Sequence, residues 1–261
     1  MTYRIIRFVL LLTTAVIIFA IVKYHISIWY VLIPLVLLIS ILVLGAIFTQ
    51  WNLYIKSINS VSEFKNFMDI DTEAKNICLT FDDGIHAVNT PLALDILKKY
   101  NIKAHFFIIG KNITGNEDIL KRMYEEGHVI GNHSFGHSWN FDMQSSKAML
   151  QEMEVTNRLI KAFTGVTPTI FRPPYGVTNP NLARAVIKSG MLSMGWNLRS
   201  LDTVAKSRDE LLSKLMRKTQ PDSIVLLHER CDITIDVLTE YIDYCLLEGY
   251  TFVTLKTSHE V

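Results

Sequence analysis

From residue 76 onward the chain alternates short apolar runs with amphipathic stretches, and this alternation restricts its fold more than any other feature. Runs rich in Ile, Val, Phe and Leu occupy 76–81, 104–109, 128–133, 169–172, 192–197, 223–228 and 250–255. Their length and composition suit buried strands. Several of the stretches between them carry helix-start signals. Ser207 stands three residues before Glu210, Thr114 three before Glu117, and Asn179 directly before Pro180, which are capping-box and cap-plus-first-turn patterns. Met149, Met153, Ile160 and Phe163 recur at helical spacing within 146–164, with Gly165 as a stop. That stripe is core packing. The pattern predicts an α/β fold of about seven mainly parallel strands. Seven strands suit a distorted, incomplete (β/α) barrel better than a closed eight-stranded one, with an open doubly wound sheet as the alternative. Either way, ligands belong at the carboxyl ends of the strands.

The N-terminal quarter is different in kind. Residues 5–22 and 26–48 are apolar runs that share one charge, Arg7, and only 23–25 separate them. Each approaches the roughly 20 residues that cross a bilayer, so the expectation is a transmembrane hairpin over 1–48, with Trp29, Trp51 and Tyr54 as interfacial anchors. Arg4 and Arg7 also resemble the start of a signal peptide, but no small-residue cleavage site precedes the second run. Residues 49–73 read as a juxtamembrane linker, and 74–261 as one domain large enough for its own core. A net charge of +1 leaves no basic stripe for nucleic acid. Cys78, Cys231 and Cys245 are odd in number and lack CxxC spacing, which points to neither a disulfide framework nor a zinc knuckle. Asn112-Ile-Thr matches a glycosylation sequon, although Thr114 with Glu117 reads better as a helix cap.

Titratable residues cluster where the runs end. Asp82 and Asp83 follow the first, and at the end of a strand adjacent side chains diverge and can do different work. The same Asp-Asp-Gly is also ordinary turn chemistry. His133 and His137 end the third run, four residues apart, a spacing that lets two imidazoles reach one ion. With Asp83 they form a two-His, one-carboxylate set that leaves coordination positions open. Such a centre suits hydrolysis; for an amide it needs a base and an acid as well. Asp82 fits the base, and His228, which ends an otherwise apolar run, fits the acid. Arg172, ahead of the rigid turn Pro-Pro-Tyr-Gly, is placed to pair with Asp82. The backbone N–H of Tyr175 could meet a developing oxyanion, and Asp202 could orient His228.

These residues resemble the polysaccharide deacetylase family, the NodB-homology domain of carbohydrate esterase family 4, over about 74–256. Thr-Phe-Asp-Asp-Gly (80–84), His-Ser-Phe-Gly-His (133–137), Arg-Pro-Pro-Tyr-Gly (172–176) and Leu-Leu-His (226–228) match its motifs in order. The resemblance implies a zinc-type divalent metal on Asp83, His133 and His137, with cobalt or another divalent ion as the alternative. It also implies removal of N-acetyl groups from an aminosugar polymer, with Asp82 as base, Arg172 orienting it, Tyr175 lending its N–H and His228 as acid. Three positions depart from the pattern: Arg199 and Thr203 replace the first Asp and the Trp of the fourth motif, which keeps Asp202, and Ile85 stands where proline is common. A deformylase or deacetylase of a lipid-linked aminosugar and a catalytically silent carbohydrate-binding relative are the alternatives. For sidedness, Arg4, Arg7, Lys56 and Lys65 favour a cytoplasmic domain by the positive-inside rule, whereas a polymeric cell-wall substrate favours the outer face, which is the expectation adopted.

Overall fold

The computed structural model describes residues 2–24, 27–67 and 73–255, and the side chains of 2–4, 6, 24, 31, 65 and 66 lie outside that description. The side chains of Arg4 and Lys65, positions 68–72 of the expected linker and the stretch 256–261, which the sequence reading uses, therefore lie outside it.

Nine described strands form one sheet: β1 (Ser57–Ile58), β2 (Lys75–Gly84), β3 (His105–Ile108), β4 (Val129–Asn132), β5 (Ile170–Phe171), β6 (Leu192–Met194), β7 (Leu198–Arg199), β8 (Ser223–His228) and β9 (Tyr250–Phe252). Their order is β1-β6-β5-β4-β3-β2-β8-β7, with β9 beside the start of β2. Every pairing is parallel. The path runs from β1 to β7 without closing, so the architecture is the expected incomplete barrel, with nine strands in place of seven. The two added strands are two residues long and too short to stand out as apolar runs. β1 also brings part of the expected linker into the sheet: it pairs with β6, and Ser57 and Ser193 share a hydroxyl hydrogen bond of 2.8 Å.

Six described helices accompany the sheet: α3 (Asn89–Lys99), α4 (Glu117–Glu125), α5 (Ser146–Thr164), α6 (Pro180–Ser189), α7 (Arg208–Lys218) and α8 (Asp232–Leu247). Alternation along β2 divides its side chains. Ile77, Leu79 and Phe81 pack with Phe106, Leu94, Leu97, Val237 and other helix-side residues, while Cys78 joins Phe107, Ile224, Leu226 and Trp196 inside the barrel. The Met149 and Met153 stripe packs with Phe171 and Leu182, as core. Asn179 caps α6 and Ser207 caps α7 as read from the sequence. The Thr114–Glu117 box does not form. The chain bends at Gly115 (φ +86°), Asn116 takes the cap position, and the Glu117 carboxylate accepts from the Gly115 N–H instead.

Ahead of the barrel lie α1 (Thr2–Tyr24) and α2 (Trp29–Ile47). Among the described residues no helix is long and apolar enough to cross a membrane, so the expected pair of spans is not carried by the structure. Both helices nonetheless leave large apolar side chains exposed, among them Phe8, Leu11, Phe19, Ile33, Val36 and Leu37. The end of α2 is tied to the barrel: the Thr178 N–H donates to the Ala46 carbonyl at 2.8 Å, and the Gln50 amide to the Trp196 carbonyl at 2.8 Å.

The helix-side core rests on aromatic stacking between Phe81 and Phe106, centroids 5.0 Å apart and both fully buried. Phe106→Ala is expected to lower unfolding free energy by about 3–5 kcal/mol, measured by urea denaturation. A loss below about 1 kcal/mol would contradict this packing.

Candidate active site

Strand register assembles the site. On β2, Asp82 lies level with His228 of β8, and Asn132 of β4 lies level with Phe171 of β5. One step further along each strand stand Asp83, His133 and Arg172, so residues from four distant segments arrive at the same end of the sheet. They surround a cavity of about 450 Å³ lined by Asp82, Asp83, His133, His137, Tyr175 and His228. The two remaining expected residues, Arg172 and Asp202, are buried behind it.

Alternation sends Thr80 and Asp82 to the barrel interior, where Arg172 is 0% exposed. A buried guanidinium is tolerable only when its donors are satisfied. Here they are: Nη1 donates to Asp82 Oδ1 and to Thr80 Oγ1, both at 2.7 Å, Nη2 to the Gly195 carbonyl at 2.7 Å, and Nε to the Met194 carbonyl at 3.1 Å. Its plane also lies 4.1 Å from the Phe107 ring centre. The Arg172 carbonyl accepts from His133 Nδ1 at 2.8 Å, which fixes the tautomer and turns Nε2 toward the cavity.

Asp83, His133 and His137 offer one ligand atom each, all within 4.8 Å of one another. His137 Nε2 lies 3.3 Å and His133 Nε2 3.5 Å from Asp83 Oδ1. Two neutral imidazoles and a carboxylate are a donor set that fits a zinc-type ion. The environment supports those states: burial, with the neighbouring His133, pushes His137 down to about 4, so it is neutral at neutral pH as ligation requires. Burial opposes charge on Asp83, but the groups that face it, the Arg230 guanidinium at 2.8 Å among them, outweigh it and hold the carboxyl well below its usual range. Asp83, His137 and Tyr175 all have left-handed backbones, φ +72°, +46° and +59°. Such conformations in non-glycine residues store roughly 1–3 kcal/mol each and persist where the surroundings impose them. At Asp83 the surroundings include Asn112, whose side-chain amide donates to the Asp83 and Gly84 carbonyls at 3.1 and 3.3 Å. Asn112 thus works inside the fold, whatever its sequon.

On the opposite wall, His228 Nδ1 donates to Asp202 Oδ1 at 2.8 Å, while Asp202 Oδ2 accepts from the His228 N–H at 2.7 Å and the Thr234 hydroxyl at 2.8 Å. Burial disfavours a proton on His228, but Asp202 outweighs it, and the imidazole is raised above its ordinary value. A raised histidine held this way can deliver a proton. Sequence reasoning passed over Thr80, Asn112, Thr234 and Arg230. Arg230 donates to Asp83 Oδ2 at 2.8 Å; its nearness to His228 in the sequence was the available signal. Of the departures, Arg199 and Thr203 line the cavity and Ile85 is buried in the core.

Comparison with known proteins agrees with this geometry. The polysaccharide deacetylase family pattern matches residues 69–193. The chain is 33% identical over 181 residues to the peptidoglycan-N-acetylglucosamine deacetylase PgdA of Listeria monocytogenes, covering 69% of this chain and 38% of that protein. It is 30% identical over 202 residues to the peptidoglycan-N-acetylmuramic acid deacetylase PdaA of Bacillus subtilis, covering 76% of each. Among solved structures, a family 4 pseudoenzyme of Bacillus anthracis superposes with a TM-score of 0.65 at 29% identity, over 70% of this chain and 64% of that one. The chain belongs to the polysaccharide deacetylase family of carbohydrate esterase family 4.

Two outcomes follow from the site's electrostatics. Arg172→Gln strands the buried Asp82 carboxylate and should lower stability by about 3–5 kcal/mol; a change under about 1 kcal/mol in thermal unfolding would mean that the pair is not buried as described. His228, observed by NMR, should titrate above 6.5 and fall in Asp202→Asn. Because its folded value is raised, its stabilising contribution is complete below pH 6.5 and fades as pH rises through the folded value. The stability gap between the native chain and Asp202→Asn should shrink over that window, and a gap that widens with pH would contradict the assignment.

Proposed function

We propose that this chain is a divalent-metal-dependent hydrolase that removes N-acetyl groups from aminosugar units of a cell-wall polysaccharide. The observation that carries this reading is the convergence, in one cavity, of a three-residue ligand set, a carboxylate locked by a buried arginine, and an imidazole held by a buried aspartate. Asp83, His133 and His137 would hold the ion, which when bound lowers the pKa of water to about 7 and polarises a carbonyl oxygen. Asp82 takes the proton of the attacking water, and its salt bridge to Arg172 at 2.7 Å holds the carboxylate in place at the cavity. The Tyr175 N–H stabilises the oxyanion, a role worth about 10²–10³ in rate. His228 protonates the departing amine, with Asp202 fixing its tautomer and supporting its charge.

The same reading has α1 and α2 embedded in a membrane, with the catalytic domain at its outer face. Their exposed apolar side chains support the embedding, and a polymeric cell-wall substrate supports the outer face. Protease treatment of intact spheroplasts tests the side; full protection of the barrel would place it inside and favour a lipid-linked aminosugar. The pseudoenzyme relative keeps a silent carbohydrate-binding role as the opposing outcome.

Full-length protein loaded with zinc or cobalt should release acetate from an N-acetylglucosamine oligomer. Asp82→Asn should retain the metal and lose about 10²–10⁴ in turnover, whereas His137→Ala should lose metal and turnover together. Asp202→Asn should lower kcat with little change in KM. Sugar binding with no acetate release from the metal-loaded native chain would establish the silent alternative.

A further inference from the structure

Three permanent cations enter the cavity from three different segments: Lys111 after β3, Arg199 on β7 and Arg230 after β8. The cavity's two carboxylates do not balance them. Asp82 is committed to the buried Arg172, and Asp83 to Arg230 and the two ligand histidines. Lys111 donates to the Gly136 carbonyl at 2.8 Å, beside His137. Arg199 is exposed and has no ion-pair partner among the described residues; its guanidinium lies 6.0 Å from the Trp196 ring centre. Lys214 on α7 is lowered first by burial and then by the charge of Arg199, with Glu210 and Asp202 acting the other way. Thr203 adds a hydroxyl to the same wall. An unpartnered guanidinium beside an aromatic ring, facing a cleft with excess positive charge, is built to take a planar or tetrahedral anion with two parallel hydrogen bonds.

We infer that Arg199, supported by the charges of Lys111 and Arg230, is a specificity residue that receives an anionic group, a carboxylate or a phosphate, carried by the aminosugar substrate. This rests on the proposed aminosugar hydrolase reading and narrows its substrate from aminosugars at large to those with a negative charge near the amide that is cleaved. The anion takes no part in the bond-making steps. It adds binding energy and sets register, which should appear in KM and in salt dependence.

The test uses the full-length zinc-loaded protein and three probes: an oligomer containing N-acetylmuramic acid, whose lactyl ether bears a carboxylate; a neutral N-acetylglucosamine oligomer of equal length; and N-acetylglucosamine 1-phosphate. Acetate release gives kcat/KM, and calorimetry on Asp82→Asn gives affinity without depending on turnover. One of the anionic probes should exceed the neutral oligomer by about 10- to 100-fold, as expected for a hydrogen bond to a charged group. Which one does so identifies the source of the anion. Arg199→Gln should abolish that preference, Arg199→Lys should restore part of it, and Arg208→Gln, on the surface of α7 outside the cavity lining, should leave it intact. Equal affinity for neutral and anionic probes, or a preference that survives Arg199→Gln, would overturn the inference. Arg199-dependent anion binding with no acetate release from any probe would instead sink the hydrolase reading and leave the anion site standing.

Discussion

The buried guanidinium of Arg172 is the interaction on which the rest of the site depends. Removing an arginine from water is expensive, and the structure repays this only by surrounding it with Asp82, Thr80, two backbone carbonyls of the β6 end and the face of Phe107. Those partners lie on β2, on β3 and beside β6, so satisfying one side chain fixes the relative positions of three strand ends. The same residue's carbonyl orients His133. A single buried charge thereby sets the carboxylate offered as base and one of the imidazoles offered to a metal.

Backbone conformation continues what Arg172 begins. Five non-glycine residues with positive φ, Asp83 at the end of β2 and Ser134, His137, Tyr175 and Leu201 beyond the strands, lie at this end of the barrel. Each is disfavoured locally, and each is held by neighbours: the Asn132 side chain accepts from the Ser134 N–H, and the Ser134 hydroxyl accepts from the His137 N–H. Stability built into the sheet is spent on aiming ligands. The far wall relies on electrostatics instead, since Asp202 can raise His228 only because burial removes the competing water.

Much of this was legible in the sequence because parallel sheets obey strand polarity. The eight residues read as the site, from Asp82 to His228, all follow or end apolar runs, and the structure gathers all eight at one end of the sheet. What escaped notice lacked that signature. Strands β1 and β7 are two residues long and leave no periodic trace. Thr80 sits inside an apolar strand, where its role as a partner of Arg172 depends on a residue 92 positions away. Asn112 resembled a sequon, and its actual work on the Asp83 carbonyl depends on the path of two loops. Thr114 and Glu117 had the spacing of a capping box, but Gly115 turned the chain first. The helices α1 and α2 were legible as apolar helices.

The most direct test of this account is the protonation state of the His133 ring, read from ¹⁵N NMR chemical shifts at mildly alkaline pH before and after adding zinc. Donation from Nδ1 to the Arg172 carbonyl requires a protonated Nδ1 and a bare Nε2 in the metal-free protein, with zinc then shifting Nε2 and leaving Nδ1 protonated. A proton on Nε2, or a zinc-induced change at Nδ1, would mean that Arg172 does not set the ligand geometry.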